Sequence, residues 1–219
     1  MMVIDSIEMR DVVPKVFAQE GAWDHESQVW KTSLKFTRPG LYMIEAESGT
    51  GKSSLCAYIY GARDDYEGQI LFDGRDIRTF SIADWCSIRR EAIAFLPQDM
   101  KLFPELTVRE NIEIKNRLTR HKSPSDIKRM LETLEIDNKL DVPARFLSIG
   151  QQQRVAILRA LCQPFRFILL DEPVSHLDRR NNDVVSQLIM AEAAACDAAV
   201  IATSVGYGIN IEFENHLAL

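Results

Sequence analysis

Residues 48–54 combine the backbone freedom and the side chains that a phosphate site needs. The segment follows an apolar run, precedes a stretch of helical composition, and reads Ser48, Gly49, Thr50, Gly51, Lys52, Ser53, Ser54. Glycines let backbone N–H groups converge on phosphate oxygens, and a helix N-terminus favours negative charge. Lys52 supplies a point charge, and the Ser53 hydroxyl can ligate Mg²⁺. We predict a nucleotide phosphate site here, the alternative being a surface turn rich in Gly and Ser.

Two acidic residues end a second apolar run. Asp171 and Glu172 follow Phe167-Ile168-Leu169-Leu170 directly. At such a strand end, Asp171 is expected to hold Mg²⁺ through water, and Glu172 to polarise an attacking water as general base. The alternative is that the two acids cap a helix.

The bulk composition is that of an ordinary globular enzyme. The chain has 219 residues, 46% of them hydrophobic and 26% charged, with a formal net charge of −6. This acidity argues against a surface that binds nucleic acid. The four cysteines are widely spaced and suggest free thiols in a reducing compartment. No signal peptide is visible, and no apolar run approaches the ~18 residues of a membrane span. We expect a cytoplasmic chain that meets a membrane only through a partner.

The hydrophobic patterns predict strands that alternate with helices. Strands are expected at residues 7–13, 33–37, 41–46, 68–73, 92–96, 165–170 and 198–203, with a further edge strand at 210–214. Helices are expected at residues 51–60, 151–161 and 181–195, and a helical block runs from about 108 to 140 with a start near Ser123. This order indicates an α/β fold with a mostly parallel sheet covered on both faces. The Arg89-Arg90 pair is interpreted as solvated surface.

Further motifs lie between and after the phosphate segment and the acid pair. Leu147-Ser148-Ile149-Gly150-Gln151 opens the helix that ends in Arg159-Ala160-Leu161, Gln98 follows Leu96-Pro97, and Ser175-His176-Leu177-Asp178 follows the acids. With these motifs in this order, residues 5–215 resemble the ATP-binding cassette (ABC) ATPases. Gln98 resembles the family's Q-loop, and residues 175–178 resemble its D-loop. Either Phe17 or Trp23 falls where that family stacks an aromatic ring on adenine.

The resemblance implies a P-loop NTPase fold with an N-terminal antiparallel β subdomain and an inserted α-helical subdomain. A single domain would span 1–219, with a nucleotide-binding core at about 1–95 and 162–219 and the helical part at about 99–161. It also implies a head-to-tail homodimer or cassette heterodimer with ATP and Mg²⁺ at the interface. Ser148, Gly150 and Gln151 would then meet the nucleotide on the partner's phosphate loop. Ser53, Gln98 and Asp171 would serve the metal, and Glu172 and Gln98 the attacking water.

Three residues depart from the family pattern. Ala46 replaces the first glycine of the phosphate loop, which costs little in an extended backbone. Ile149 replaces a signature glycine, and its branched side chain disfavours positive φ. Ser204 stands where the family's switch histidine is expected, and the resemblance places it among the catalytic residues. Its hydroxyl reaches less far than a histidine ring and carries no titratable charge, which predicts slow hydrolysis. His176 is a rival for that role, but it is better explained as an exposed or capping histidine.

The resemblance implies the ATP-binding subunit of an ABC transporter, peripheral on the inner face of the cell membrane and bound to an integral membrane subunit. Residues 103–112 resemble a segment near the membrane partner in small export-type and lipoprotein-release-type cassettes. Two alternatives remain: an ATP-gated dimer with slow or no hydrolysis, and a single-cassette ATPase of assembly outside transport.

Overall fold

The computed structural model describes residues 4–19 and 27–219, and two β-sheets organise them. The strands are β1 Ser6–Pro14, β2 Ser33–Thr37, β3 Gly40–Glu45, β4 Tyr66–Phe72, β5 Arg75–Asp76, β6 Ile93–Leu96, β7 Phe167–Asp171, β8 Ala199–Ser204 and β9 Asn215–Ala218. The helices are α1 Lys15–Gln19, α2 Lys52–Ile59, α3 Ile82–Glu91, α4 Val108–Thr119, α5 Pro124–Thr133, α6 Ile149–Leu161 and α7 Arg179–Cys196.

The two sheets differ in strand direction. An antiparallel sheet has the order β2-β1-β4-β5, and a parallel sheet has the order β6-β7-β8-β3-β9. Every residue of β7 and β8 is buried, because helices and the second sheet cover both faces of the parallel sheet. The predicted mixture of a parallel central sheet and an N-terminal antiparallel sheet is confirmed.

Alternate residues of the central strands enter two different cores. Phe167 and Leu169 join a cluster with Leu55 of α2 and with side chains of the antiparallel sheet. Ile168 and Leu170 join a cluster on the opposite face, with residues of α4, α5, α6 and α7. Successive side chains of a strand point to opposite faces, so neighbouring residues at a strand end contact different parts of the molecule. This alternation decides the placement of Thr203 and Ser204.

The helices between β6 and β7 begin at well-defined caps. Thr107 caps α4 and Ser123 caps α5; each hydroxyl accepts the N–H of the acidic residue three positions on, which bonds back to the cap. The predicted start near Ser123 is correct. The core cluster continues from these helices into the sheet face, so no break in packing marks residues 99 and 161. The division into subdomains there stays a prediction.

Two sequence-based interpretations are wrong. Residues 210–214 form no strand, because the backbone N–H and side-chain amide of Asn210 bond to Asn182 and Asp183 of α7, and the edge strand begins only at Asn215. Arg89 is not solvated surface: it is half-buried and donates to the carbonyl oxygens of Tyr60 and Gly61. Within the described part of the chain, no helix is long and apolar enough to cross a membrane.

Candidate functional site: a phosphate loop facing two carboxylates

The predicted phosphate segment forms the turn between β3 and α2. Gly51 is the N-cap of α2, with φ of 101°, in the left-handed region that glycine tolerates best. A Cβ there would also lie 3.1 Å from Cζ2 of Trp30 and 3.3 Å from Cε2 of Phe17. Position 51 therefore requires glycine for both conformation and space. Ala46 has no positive φ, so the missing first glycine causes no strain.

Lys52 is folded inside this turn. Its ammonium donates to the carbonyl oxygens of Ala46, at 3.2 Å, and Glu47, at 2.7 Å, and the residue is only 5% exposed. Burial lowers the pKa of Lys52, while the negative charges of Glu172 and Asp171 oppose that shift. Its Nζ lies 3.9 Å from Oε1 of Glu172. The fold thus brings the ammonium group of the phosphate segment close to the second carboxylate of the acid pair.

Asp171 and Glu172 lie at the carboxyl end of β7, beside the end of β8. The hydroxyl of Thr203 donates to Oδ1 of Asp171 at 2.8 Å and accepts the N–H of Glu172 at 3.2 Å. Glu172 has φ of 49°, an uncommon conformation for a residue with a side chain, and such residues cluster at functional sites. Thr203 was missed by sequence reasoning, because only the pairing of β7 with β8 brings it opposite Asp171.

Gln98 also reaches this group. Its Nε2 donates to Oε2 of Glu172 at 3.1 Å, although the two residues are 74 positions apart in the chain. Phosphate loop, Q-loop and acid pair therefore converge on one carboxylate. Ser53 is exposed, and its hydroxyl makes no hydrogen bond to the described residues. Hydroxyl, carboxylate and amide oxygens are the ligands that Mg²⁺ prefers, so the residues present fit a magnesium–nucleotide complex.

The signature residues lie at the start of α6. Ser148 is the N-cap, and its hydroxyl accepts the N–H of Gln151 while the Gln151 side chain accepts the N–H of Ser148. The helix begins at Ile149 rather than at Gln151 as predicted. Ile149 is helical and 52% exposed, so it causes no backbone strain. No hydrogen bond of these residues reaches the phosphate loop of the same chain.

Gly150 holds α6 close to the D-loop. A Cβ at Gly150 would lie 3.1 Å from the carbonyl oxygen of His176. The side chain of Gln153, a second residue missed in the sequence, accepts the N–H of His176 at 3.0 Å and lies 3.4 Å from the carbonyl oxygen of Glu172. Through Gln153, the N-terminal part of α6 contacts both the D-loop and the backbone of Glu172.

Two aromatic side chains flank the phosphate loop. Trp30 is fully buried and donates its indole N–H to the carbonyl oxygen of Thr50 at 3.0 Å. Phe17, in α1, is half-buried beside Gly51. This position is compatible with the predicted contact to a nucleobase. The rival residue, Trp23, lies outside the described residues.

Ser204 lies apart from the carboxylates. It follows Thr203 in β8, so its side chain takes the opposite face of the sheet, in a cleft of about 360 Å³ that Asn182 and Gly208 also line. The Ser204 hydroxyl is buried and finds no hydrogen-bond partner among the described residues. Sequence reasoning placed Ser204 in the catalytic set; the structure does not join its hydroxyl to Lys52, Gln98 or Glu172.

A phosphate loop between β3 and α2, with paired acids at the end of the parallel strand β7, defines the class: a P-loop NTPase. Residues 30–175 match the family model described as ABC transporter. The chain belongs to this family, whose ATP-binding cassette it forms.

Curated relatives and solved structures agree with this assignment. The chain is 32% identical over 162 residues to the lipoprotein-releasing system ATP-binding protein LolD of Buchnera aphidicola subsp. Schizaphis graminum, covering 73% of this chain and 71% of that protein. It is 35% identical over 161 residues to the ABC transporter ATP-binding protein YtrE of Bacillus subtilis, covering 72% and 69%.

The dimeric cassette MJ0796, described as a bacterial ABC transporter cassette, matches with a TM-score of 0.73 and 26% identity, over 90% of this chain and 87% of that one. A second structure of that cassette holds ADP and inorganic phosphate after hydrolysis.

Proposed function

We propose that the chain binds MgATP on residues 48–54 and hydrolyses it as one half of a head-to-tail dimer, so that dimer closure drives a membrane-embedded partner on the inner face of the cell membrane. The observation that carries this proposal is the convergence of Lys52 and Gln98 on the carboxylate of Glu172. The similar proteins LolD and YtrE are an ATP-binding protein of a lipoprotein-releasing system and an ATP-binding protein of an ABC transporter.

Each residue has a distinct task in this proposal. MgATP would supply the phosphoanhydride bond that is broken and the Mg²⁺ ion that offsets the negative charge of the phosphates. Lys52 and the loop N–H groups would bind the phosphates. Ser53 would ligate the metal, Gln98 would contact it, and Asp171 would hold it through water. Glu172 accepts the proton of the attacking water, and Gln98 holds the Glu172 carboxylate in position. Thr203 fixes the Glu172 backbone from which the base projects.

The second half of the site is proposed to come from the partner copy. Ser148, Gly150 and Gln151 make no hydrogen bond to the phosphate loop of their own chain, and they lie at the start of a helix where Ser148 is exposed and the other two are half-buried. The free N–H groups of a helix start favour anions, so this end suits a phosphate held by another copy. The dimeric cassette among the solved structures supports this arrangement.

The test is the substitution Glu172→Gln, measured by steady-state phosphate release and by ATP-dependent dimer formation. General base catalysis contributes about 100- to 10,000-fold, so turnover should fall at least about 100-fold while ATP still produces a dimer. Glu212→Gln, at an exposed acid, is the matched control and should change neither quantity. A Glu172→Gln protein that releases phosphate at the parental rate would exclude Glu172 as the base.

A second function, an ATP-gated dimer with slow turnover, is favoured by the placement of Ser204. Its hydroxyl takes the face of the sheet opposite Thr203 and contacts none of the residues around Glu172. Ser204→His provides the test. A large gain in phosphate release would support the slow dimer, whereas a rate near or below that of the parent would favour an ordinary ATPase that does not need a histidine there.

A further inference from the structure

The turn that follows the acid pair is fixed to the start of α6, and His176 lies in this turn. The N–H of His176 donates to Oε1 of Gln153 at 3.0 Å, and Gln153 is only 2% exposed. On the other side of the residue, the carbonyl oxygen of His176 lies 3.1 Å from the place that a Cβ of Gly150 would take. The backbone of His176 is therefore held against the helix start that carries Ser148 and Gln151.

The ring of His176 is exposed, and its neighbours define where it carries a proton. Because Oε1 of Gln153 accepts the N–H of His176, the other end of this amide, Nε2, is a donor, and it lies 3.4 Å from the hydroxyl of Ser175. That hydroxyl lies 3.0 Å from Nδ1 of His176, to which it can donate its own proton. A neutral ring that accepts at Nδ1 carries its proton on Nε2. This Nε2–H group has no partner in the part of the chain that the structure describes.

The other described histidines do not adjoin the signature residues. His216 pairs with Glu45 at 3.4 Å, at the outer edge of the parallel sheet. His121 is half-buried in the connection between α4 and α5, and its Nε2 is shielded from solvent. Ser204 occupies the position at which the family carries a histidine, but its hydroxyl lies on the sheet face opposite Thr203. Among the described residues, His176 is thus the histidine that lies beside the start of α6.

We propose that His176 is a catalytic residue of the partner copy's site, where its Nε2–H donates a hydrogen bond to the γ-phosphate held by the partner's phosphate loop. The inference rests on the proposed function, in which the start of α6 meets that nucleotide. Because His176 is attached to the same helix start, a dimer that brings Ser148 and Gly150 to a phosphate also brings the exposed ring there. A donor that is already in place stabilises the charge that develops on the γ-phosphate.

Contacts within the chain separate His176 from the nucleotide site of its own copy. The carboxylate of Glu172 is directed to Lys52, at 3.9 Å, and to Gln98, at 3.1 Å. Gln153 rather than His176 reaches the backbone of Glu172, with its Nε2 3.4 Å from the carbonyl oxygen. No printed hydrogen bond joins the His176 ring to these residues, so its effect is expected on the opposite site of the dimer.

Mixed dimers distinguish the two sites. One tagged copy carries Glu172→Gln, so only the other copy, with a second tag, has a base; dimers are purified on both tags, and phosphate formed in a single turnover is measured with γ-labelled ATP. His176→Ala in the Glu172→Gln copy should slow this turnover at least about 10-fold, since one preorganised donor contributes about 100- to 1,000-fold. The same substitution in the copy that has Glu172 should leave the rate unchanged.

Two further variants separate a lost hydrogen bond from a structural effect. His176→Gln keeps an N–H donor of similar reach, so in the Glu172→Gln copy it should retain most of the rate. His216→Ala, the matched control at another exposed histidine, should change the rate in neither copy.

A spectroscopic measurement tests the contact without turnover. The Glu172→Gln protein is prepared with isotope-labelled histidine, and the Nε2 resonance that is missing from the His176→Ala variant identifies His176. MgATP should shift this resonance, whereas MgADP, which has no γ-phosphate, should not.

The inference is overturned if His176→Ala slows turnover equally in both copies, only in the copy that has Glu172, or in neither. An Nε2 resonance that does not respond to MgATP, or an equal loss with His216→Ala, would overturn it as well. The proposed function is judged on the unmodified dimer. If that dimer releases phosphate and all mixed dimers are equally fast, only the role of His176 is rejected; if it releases none, the proposed hydrolysis fails and the inference fails with it.

Discussion

Thr203 provides the sharpest test of the site geometry, because one hydroxyl joins both acids. It donates to Oδ1 of Asp171 at 2.8 Å and accepts the N–H of Glu172 at 3.2 Å, and Asp171 is only 2% exposed. Thr203→Val keeps the shape and removes both bonds. A bond to a charged group is worth about 1.5–3 kcal/mol, and an unpaired buried N–H costs about 1–3 kcal/mol.

Because the surroundings relax in part, we expect Thr203→Val to lower the free energy of unfolding by about 3 kcal/mol. With a urea m value of about 3 kcal/mol/M, the unfolding midpoint should fall by about 1 M. The measurement is urea unfolding followed by circular dichroism, together with phosphate release. Turnover should fall as well, since the backbone that carries Glu172 loses its anchor.

Two neighbouring substitutions are the controls. Thr203→Ser keeps the hydroxyl and should retain most of the stability. Ser204→Ala removes a buried hydroxyl that has no partner among the described residues, so it should cost little or stabilise slightly. The assignment of these two residues to opposite faces would be refuted if Thr203→Val lost less than about 0.5 kcal/mol of unfolding free energy, or if Ser204→Ala lost more than Thr203→Val.

Lys122 and Glu192 form a buried ion pair between the start of α5 and α7. Lys122→Met should therefore lower the free energy of unfolding by about 3–5 kcal/mol, because it leaves the Glu192 carboxylate buried without a partner. In a double-mutant cycle, adding Glu192→Leu should recover much of the lost stability. Burial raises the pKa of Cys162 to about 12. The buried neutral thiol therefore contributes fully to the free energy of unfolding below the unfolded-state pKa of the thiol, and this contribution is lost as pH rises from there towards 12. Between pH 9 and 11 the free energy of unfolding should therefore fall more steeply in the parent than in Cys162→Ala, by about 1.4 kcal/mol per pH unit. Parallel curves for the two proteins would contradict the raised pKa. Gly150→Ala should slow phosphate release, because the added Cβ would lie against the carbonyl oxygen of His176. Ile149→Ala, at an exposed position, should leave the free energy of unfolding unchanged.

Local signals predicted most of the elements around the site. The phosphate loop, the apolar run before Asp171 and the cap at Ser123 are patterns within about ten residues, and each lies where the sequence placed it. Helix α3 was missed although Ser81 and Asp84 form a readable capping box. The strand expected at 210–214 failed because side chains of α7, distant in sequence, hold Asn210.

The amino-acid sequence by itself determined the family, the phosphate loop, the acid pair and most of the strands and helices, because residue spacing along one element fixes these features. Only the tertiary structure decided which groups meet across elements. Gln98 reaches Glu172 from 74 positions away, and Thr203 rather than Ser204 faces the acids because strand alternation and register set the side.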